Sequence, residues 1–271
     1  MRINTNLNAM IATNQMSKNT ALAGSSMEKL STGLRITKAG DDAAGLAVSE
    51  KMRAQIRGME QAERNVQDGI SMVQTAEGAL EEAGNIAQRM RELGVQAGND
   101  TLSSSDRAKI KTELSELQKE MSDRSKEAKF NGKELLSANA ASSTITIQAG
   151  ANSEVREITT ADLSTIAKSL SSTDVGDISK AQSFVGEVDK ALEAINKGRS
   201  ELGAMQNRLE YTSSNLTTST ENLTAAESRI RDVDVAKEMV KLSKLNILNQ
   251  ASQAMVSQAK QQPESVTQLL R

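Results

Sequence analysis

Residues 188–230 read VDKALEAINKGRSELGAMQNRLEYTSSNLTTSTENLTAAESRI. Large aliphatic residues recur in this stretch at every seventh position: Val188, Ile195, Leu202, Leu209, Leu216, Leu223 and Ile230. The positions three residues later are mostly small or polar: Ala191, Gly198, Met205, Thr212, Ser219, Ala226 and Val233. A heptad repeat of this length predicts one long helix with an apolar stripe. Because small companions bury little but allow close backbone approach, the stripe favours a bundle over a tight two-stranded coiled coil.

A second heptad series lies in the first half of the chain. Its main positions are Met52, Met59, Val66, Val73, Leu80 and Ala87. Its companions are Ala62, Ala76, Ala83, Met90 and Ala97, with Gly69 as the weak member. A helix over residues 44–97 would be roughly 80 Å long, and such a rod needs partner helices to bury its stripe. The simplest topology pairs the two rods antiparallel and brings the chain ends together.

The segment between the rods is less regular. Ile110, Leu114, Leu117 and Met121 give a further helix its stripe, and Asn131-Gly132 is predicted to end it. Alternating residues around Ile145 and Ile147, followed by Ala149-Gly150-Ala151-Asn152, predict a small β-hairpin near 143–158. An isolated hairpin is marginally stable in water, so we expect it to pack against the helices.

The two ends carry weaker amphipathic patterns. Ile3, Leu7, Met10 and Ile11 share one helical face near the start. Leu245, Leu248, Met255 and Ala259 mark a final helix, which we expect to stop before Pro263. So few large apolar residues would not offset an ordering cost of roughly 1–2 kcal/mol per residue for the backbone. We therefore expect these ends to order on meeting a partner, which indicates assembly.

The composition excludes many kinds of chemistry. The chain has no His, no Cys and no Trp, and its net charge of −2 arises from 33 basic and 35 acidic residues. Without His and Cys there is no Ser-His-Asp triad, thiolate nucleophile or zinc, haem or iron–sulfur site of the usual ligands. We expect no enzyme activity and no cofactor, although carboxylate-only sites stay open. Asp41-Asp42 is such a candidate, but a structural turn is the favoured interpretation.

Charge and hydropathy patterns bear on partners and location. Basic and acidic residues are well mixed and stacking aromatics are scarce, so no nucleic-acid partner is expected. No apolar run approaches the ~20 residues that span a bilayer, so no membrane partner is expected. Asn residues near the start of the chain interrupt the apolar core that a signal peptide requires, so no signal peptide is predicted. These rules alone place the protein in the cytoplasm.

Motifs at both ends resemble those of bacterial flagellins. At the N-terminal side they are Met1-Arg2-Ile3-Asn4-Thr5-Asn6, Leu30-Ser31-Thr32-Gly33-Leu34-Arg35-Ile36, Ala39-Gly40-Asp41-Asp42-Ala43-Ala44-Gly45-Leu46-Ala47, Gln67-Asp68-Gly69-Ile70-Ser71 and Gln74-Thr75-Ala76-Glu77-Gly78-Ala79-Leu80. At the other end they are Ile247-Leu248-Asn249-Gln250-Ala251 and Leu269-Leu270-Arg271. Several independent motifs in the right order make the resemblance specific, and it covers residues 1–150 and 180–271.

The resemblance implies a mainly α fold of long antiparallel helical rods, or a coiled-coil bundle, with a small β-hairpin. The terminal helices would form an inner coiled-coil layer of a filament. Residues 1–42 and 232–271 would make the inner filament-core domain, and residues 43–178 and 179–231 the rod domain. Residues 137–176 are too few to form a large outer domain, so the resemblance implies a minimal form of flagellin. The implied assembly residues are Ile3, Leu7, Met10, Ile11, Leu245, Leu248, Met255, Leu269 and Leu270.

The resemblance also implies partners and a different location. The chain would polymerise with its own copies outside the cell after export through the flagellar type III apparatus, which overrides the cytoplasmic expectation. An export chaperone, the filament cap, hook-associated proteins and host flagellin receptors would bind it. The string Gln88-Arg89-Met90-Arg91-Glu92-Leu93-Gly94-Val95-Gln96 is similar to the receptor motif of the family. It implies Arg89, Leu93 and Gln96 as receptor contacts, with Glu113 on the next helix.

Three other functions stay open from sequence. A hook–filament junction protein would share the terminal helices but occur in trace amounts. A generic coiled-coil secretion or scaffold protein would fold its ends without forming a polymer. An enzyme would need a carboxylate pocket, which the sequence does not identify.

Overall fold

The computed structural model describes residues 6–137, 144–171 and 174–269, and it is 78% helical. Within those residues there are six helices and two antiparallel strand pairs. The helices are α1 (Leu7–Thr32), α2 (Ala43–Ala97), α3 (Ser104–Glu127), α4 (Leu163–Ser169), α5 (Ile178–Arg231) and α6 (Val235–Leu269). The strands are β1 (Lys129–Phe130), β2 (Lys133–Glu134), β3 (Ile145–Gln148) and β4 (Val155–Ile158). The prediction of a mainly α fold with a small hairpin is confirmed.

The chain divides into two compact units. The terminal unit consists of residues 1–54 and 222–271, and the central unit consists of residues 55–221. Each unit therefore has its own set of internal contacts.

Ion pairs show that α2 and α5 run antiparallel in the central unit. Glu77 lies 3.8 Å from Arg199, and further along α2 the Nε atom of Arg91 lies 2.6 Å from a carboxylate oxygen of Asp189. As the residue number rises on α2, the partner number on α5 falls. The antiparallel pairing of the rods is confirmed, and both heptad stripes are buried along it: Val66, Val73, Leu80 and Ala87 on α2, and Val188, Ile195, Leu202 and Leu209 on α5.

The third helix of the central unit, α3, packs along α2 and supplies the buried residues Ile110, Leu114 and Met121. Its direction is again antiparallel, because Arg89 pairs with Glu113 whereas the earlier Glu82 pairs with the later Arg124. The short α4 packs against α3, where the Gln118 amide donates to the Ala167 carbonyl at 3.3 Å.

The sequence interpretation missed α4. The helix begins after Asp162, whose carboxylate accepts a hydrogen bond from the Thr165 backbone N–H at 2.9 Å, as an N-cap should. Leu163, Ala167 and Leu170 are all buried. Their spacing of four and three residues was the signal that would have identified this helix.

The predicted hairpin is present as the pair β3–β4, with Ile145 opposite Ile158 and Gln148 opposite Val155. It docks on α2, where the Asn65 amide donates to the Gln148 carbonyl at 3.2 Å. A Cβ atom on Gly69 would lie 2.2 Å from Cδ1 of Ile147. The weak heptad position at Gly69 is thus the place where the hairpin reaches the rod.

The prediction that Asn131-Gly132 ends a helix is wrong. The helix α3 ends at Glu127, and Asn131 and Gly132 form the turn between β1 and β2. Both residues have positive φ angles, 48° and 78°. Asn-Gly suits a two-residue hairpin turn that requires two such angles, and this preference decided the local structure.

In the terminal unit, α1 and α6 lie side by side and run antiparallel. The Asn6 amide donates to the Ala259 carbonyl at 2.6 Å, and Ser26 near the other end of α1 lies beside Glu238. The helix α6 continues through Pro263 to Leu269, so the expected stop before Pro263 is wrong. Proline inside a helix costs roughly 3 kcal/mol, which weakens a helix without forbidding it.

Candidate functional site: the apolar face of the terminal helices and the Arg89–Glu113 surface

The terminal helix α1 presents apolar side chains to solvent. Leu7, Met10 and Ile11 are 60%, 55% and 58% exposed. Leu22 and Met27 continue the exposed set toward the end of the helix. A folded chain rarely leaves so many large apolar residues uncovered on one element, so this surface is a candidate interaction site.

The helix α6 carries a matching apolar surface. Its exposed residues include Leu248 and Met255, which the sequence implied, and Met239, Val240 and Ile247, which it did not. A shallow groove of about 470 Å³ is lined by Met239, Val240, Ser243, Lys244, Ile247 and Leu248. The missed residues follow helical spacing, because Val240 and Ile247 are seven residues apart and Met239 and Ile247 are eight apart. We call these exposed apolar residues of α1 and α6 the assembly face.

The contact between α1 and α6 is partly polar. Asn19 and Ser26 on α1 are buried, and the Ser26 hydroxyl, with Lys241, holds the pKa of the Glu238 carboxyl below its usual value. The Lys241 ammonium lies 3.0 Å from that carboxylate. The pair therefore buries polar groups while many of its large apolar groups are exposed, unlike an ordinary soluble helix pair.

One implied assembly residue lies elsewhere. Leu245 is only 7% exposed and lies in the interior of the terminal unit, and its part in filament assembly stays a prediction. Ile247, two residues later, lies on the opposite side of the helix and is 65% exposed. Ile3 and Leu270 lie outside the described residues, and for Leu269 only the backbone, at the end of α6, is described.

The receptor-type string places a charged cluster on α2 and α3. An Arg89 Nη atom lies 2.9 Å from an oxygen of Glu113, and the other Nη lies 3.1 Å from Glu92. Hydrogen bonds from Arg89 to Glu113 and then to Glu92 raise the pKa of the Arg89 guanidinium above its usual value. Arg89, Glu113 and Gln96 are exposed, and we call them the Arg89–Glu113 surface.

Leu93 does not belong to that surface. It is 2% exposed and packs in the core, and its part in receptor binding stays a prediction. Leu93 belongs to the same buried stripe of α2 as Met90 and Ala97. This stripe faces the interior of the helical bundle.

The turn before α2 is structural, as the sequence favoured. The Asp41 carboxylate accepts hydrogen bonds from the Thr37 and Lys38 backbone N–H groups at 3.1 and 3.2 Å. These bonds, with one from the Thr37 hydroxyl, lower the pKa of Asp41. Asp42 accepts from the Gly45 N–H at 2.9 Å and so caps the start of α2.

The described part of the chain has neither a metal-binding cluster nor a membrane-spanning helix. Residues 6–137, 144–171 and 174–269 contain no group of three or more His, Cys, Asp or Glu side chains arranged to hold a metal ion. Among the same residues, no helix combines the length and the apolar character needed to cross a membrane.

Comparison with known families gives two matches in the expected order. The family model described as the bacterial flagellin N-terminal helical region matches residues 3–141, and the bacterial flagellin C-terminal helical region matches residues 185–270. The chain belongs to the bacterial flagellin family. The resemblance stated from the terminal motifs is confirmed, and the family is one of structural proteins.

Curated relatives match the chain from end to end. The flagellin of Halalkalibacterium halodurans is 54% identical over 274 residues, with 100% of both chains covered. The flagellin of Bacillus subtilis is 46% identical, again with 100% of both covered. The flagellar filament 33 kDa core protein of Treponema phagedenis is also 46% identical, with the same coverage.

Solved structures show the same architecture. The crystal structure of Bacillus cereus flagellin has a TM-score of 0.52 and 29% identity, and the match covers 60% of this chain and 94% of that one. A putative flagellar hook-associated protein from Vibrio parahaemolyticus has a TM-score of 0.60, with 71% of this chain and 100% of that chain covered. Its 11% identity makes this a likeness of fold alone.

Proposed function

We propose that the chain is the repeating subunit of an extracellular flagellar filament and that it polymerises through α1 and α6. The observation that carries the proposal is the assembly face, where large apolar residues of both terminal helices are exposed in the single chain. Burying one such side chain contributes roughly 1.5–3 kcal/mol. Other copies of the same chain would cover this face and remove the exposed apolar surface from water. The resulting filament would serve motility.

The same surface explains why the chain would need partners before it polymerises. During export through the flagellar type III apparatus, the α6 groove would be covered by an export chaperone. The filament cap would then guide assembly of the polymer, and the cap and the hook-associated proteins would lie at its ends. In the filament, residues 1–42 and 232–271 would form the inner layer, with residues 43–178 and 179–231 outside it.

The test is the double variant Met10→Ser with Ile11→Ser. Both side chains are exposed, so the single chain should keep its helicity by circular dichroism while filament formation is lost in negative-stain images. Tyr211→Ser, at a residue that is 78% exposed on α5, is the matched control and should still form filaments. Normal filaments from the double variant would rule out α1 as an assembly element.

A second function is recognition of the monomer by host innate flagellin receptors. It is supported by the exposure of Arg89, Gln96 and Glu113 on adjacent helices and by the Arg89–Glu113 ion pair, which holds two of them in a defined geometry. Leu93 would act by supporting α2 from beneath. An exposed arginine on a helix face is an effective anchor for a protein partner.

Arg89→Ala tests this recognition in a receptor reporter assay with purified monomer. We expect a loss of signalling of at least about tenfold, since truncating an interface hot spot costs roughly 2 kcal/mol or more. Arg64→Ala changes another exposed arginine of α2, outside the receptor-type string, and should signal normally. Equal signalling by both variants would remove Arg89 from the receptor surface.

A further inference from the structure

The methionines of the chain differ sharply in exposure. Four of them, in α1 and α6, have between 52% and 63% of their surface exposed: Met10, Met27, Met239 and Met255. We call these four the exposed methionines. Four others lie in the central unit, are at most 8% exposed, and are called the buried methionines: Met59, Met72, Met90 and Met121. A dissolved oxidant therefore reaches the first set in the folded chain and is kept from the second.

The exposed methionines all belong to the assembly face. Met239 also lines the groove on α6, beside Val240 and Ile247. The other members of the face are leucine, isoleucine and valine, whose hydrocarbon side chains do not react with a hydroperoxide. The chain contains no Cys, so no thiolate competes with methionine sulfur for such an oxidant. The thioethers are therefore the groups through which the assembly face can change its polarity.

Oxidation of a thioether is balanced by reduction of the oxidant. The sulfur lone pair attacks the terminal oxygen of a hydroperoxide, the O–O bond breaks, and the proton of the transferred oxygen passes to the leaving alkoxide or hydroxide. The sulfur loses two electrons and becomes a sulfoxide, while the hydroperoxide becomes an alcohol or, from hydrogen peroxide, water. The product is a polar, chiral side chain that methionine sulfoxide reductases return to methionine.

We propose that the exposed methionines are a reversible modification site, at which a hydroperoxide oxidises each thioether to a sulfoxide and thereby blocks polymerisation of the chain. The inference rests on the proposed polymerisation through α1 and α6. A sulfoxide oxygen accepts hydrogen bonds from water, and the apolar surface of a neighbouring copy offers no donor to replace them. Oxidation acts on the single chain before assembly, because copies that cover the face also shield its sulfur atoms.

Hydrogen peroxide treatment of the full-length monomer tests the site. Peptide mapping by mass spectrometry should show sulfoxide forming at least about tenfold faster at the exposed methionines than at the buried methionines, since exposure controls access to the sulfur. The lowest protein concentration that yields sedimentable filaments should rise at least about tenfold after oxidation, since each copy would bury unpaired sulfoxide oxygens. Equal oxidation rates in the two sets would overturn the proposal, as would an unchanged concentration for chains that carry all four sulfoxides.

Leucine at the exposed methionines separates sulfur chemistry from loss of apolar surface. The quadruple variant keeps apolar side chains of similar volume and should polymerise equally well with and without peroxide: Met10→Leu, Met27→Leu, Met239→Leu and Met255→Leu. The matched control carries leucine at three half-buried positions and should stay as sensitive to peroxide as the unchanged chain: Met16→Leu, Met52→Leu and Met205→Leu. Loss of polymerisation by the peroxide-treated quadruple variant, when it polymerises untreated, would show that other groups are responsible.

Enzymatic repair decides the case in which leucine itself hinders assembly. Treating the oxidised, unchanged chain with both types of methionine sulfoxide reductase, one for each sulfoxide epimer, should restore polymerisation. Continued failure to polymerise after the mass has returned to that of the unoxidised chain would contradict the proposal. An untreated chain that forms no filaments would contradict the proposed function, whereas filaments from both the untreated and the oxidised chain would contradict the modification site alone.

Discussion

Single residues decide how closely the elements of this chain approach each other. Gly198 occupies a companion position of the α5 heptad, and a Cβ atom there would lie 2.6 Å from the Cβ of Ala161 and 3.4 Å from Leu80. The Ala161 Cβ is fixed to its backbone and cannot rotate away. Gly198 therefore marks a close contact between elements. In the heptad pattern it is seen only as a position that lacks an apolar side chain.

Gly198→Ala should destabilise the chain. Overpacking costs about 1–3 kcal/mol, which outweighs the ~1 kcal/mol that alanine adds to helix stability. Gly203→Ala lies on the same helix with no atom within 4 Å of its added Cβ, so it should stabilise by up to about 1 kcal/mol. Urea unfolding midpoints measure both, and equal stabilisation by the two variants would contradict the contact.

Asp174 makes a pH-dependent contribution at the same scale. Hydrogen bonds from Lys180, the Gly176 N–H and Lys111 lower the pKa of its carboxyl to about 2, against an ordinary value of 3.8. A carboxyl whose pKa is lower in the folded chain stabilises it above the ordinary pKa and loses that contribution as the pH falls through the folded value. The contribution is therefore present above about pH 4 and lost between pH 4 and pH 2.

Asp174→Asn should lower the melting temperature at pH 7, and the gap to the unchanged protein should close as the pH approaches 2. The effect is small because the side chains involved are largely exposed and screened by solvent. Asp100→Asn, at a side chain that is 91% exposed, should show no such pH dependence. A gap that stays constant down to pH 2 would show that the Asp174 charge is not the cause.

At the scale of elements, the two heptad stripes hold the central unit together. Leu216 is 7% exposed at a main position of the α5 heptad. A carboxylate at this position would be buried without a partner, and the lost leucine alone costs roughly 2–5 kcal/mol. The stability of the rods is thus distributed along the stripes and is vulnerable at their buried main positions.

Leu216→Asp should therefore lower both helicity and melting temperature in circular dichroism. Tyr211→Asp introduces the same charge at an exposed position of the same helix and should change neither measurably. Unchanged helicity and melting of Leu216→Asp would contradict the assignment of this stripe to the interior.

At the scale of the whole molecule, both units are built from distant parts of the chain. The terminal unit joins residues 1–54 to residues 222–271, and the antiparallel pairing of α2 with α5 joins the two halves of the central unit. Such pairings close only when the late half of the chain is available, and contacts of high sequence separation form slowly. The apolar assembly face thus lies on helices whose pairing requires both ends of the chain.

Deleting residues 1–30, or residues 240–271, should abolish filament formation while residues 55–221 keep their helices. Negative-stain images and circular dichroism of the two truncated chains measure these outcomes separately. The full-length protein, heated mildly and cooled, is the control and should form filaments. Filaments formed by either truncated chain would show that the terminal helices are not required.

Much of the fold was predictable because burial of one helical face requires apolar residues at regular intervals in the sequence. The repeats through Val188 and Ile195, and through Val66 and Val73, predicted two rods, and the alternation around Ile145 and Ile147 predicted the docked hairpin. The missed elements are short. The helix α4 depends on its N-cap, and the turn at Asn131 and Gly132 depends on two positive φ angles. Each of these features involves only a few residues, so the sequence pattern that indicates it is short.

The candidate site was less predictable than the fold. Leu245 and Leu248 follow the same amphipathic pattern, yet only Leu248 is exposed enough to meet a partner. Leu93 belongs to a string that resembles a receptor motif, yet it packs in the core. Periodicity shows which residues share a helical face, whereas burial depends on which other element covers that face.

The heptads of residues 188–230 by themselves determined a long helix with a buried stripe, because a local repeat is sufficient to place side chains on one face. The sequence also determined that His and Cys chemistry is absent and that the terminal motifs are those of flagellins. Only the tertiary structure decided that Arg231 meets Glu50, that Gly198 meets Ala161 and that the apolar residues of α1 and α6 face outward. These contacts join residues far apart in the chain, and their positions follow from the register of packed helices, which no local pattern specifies.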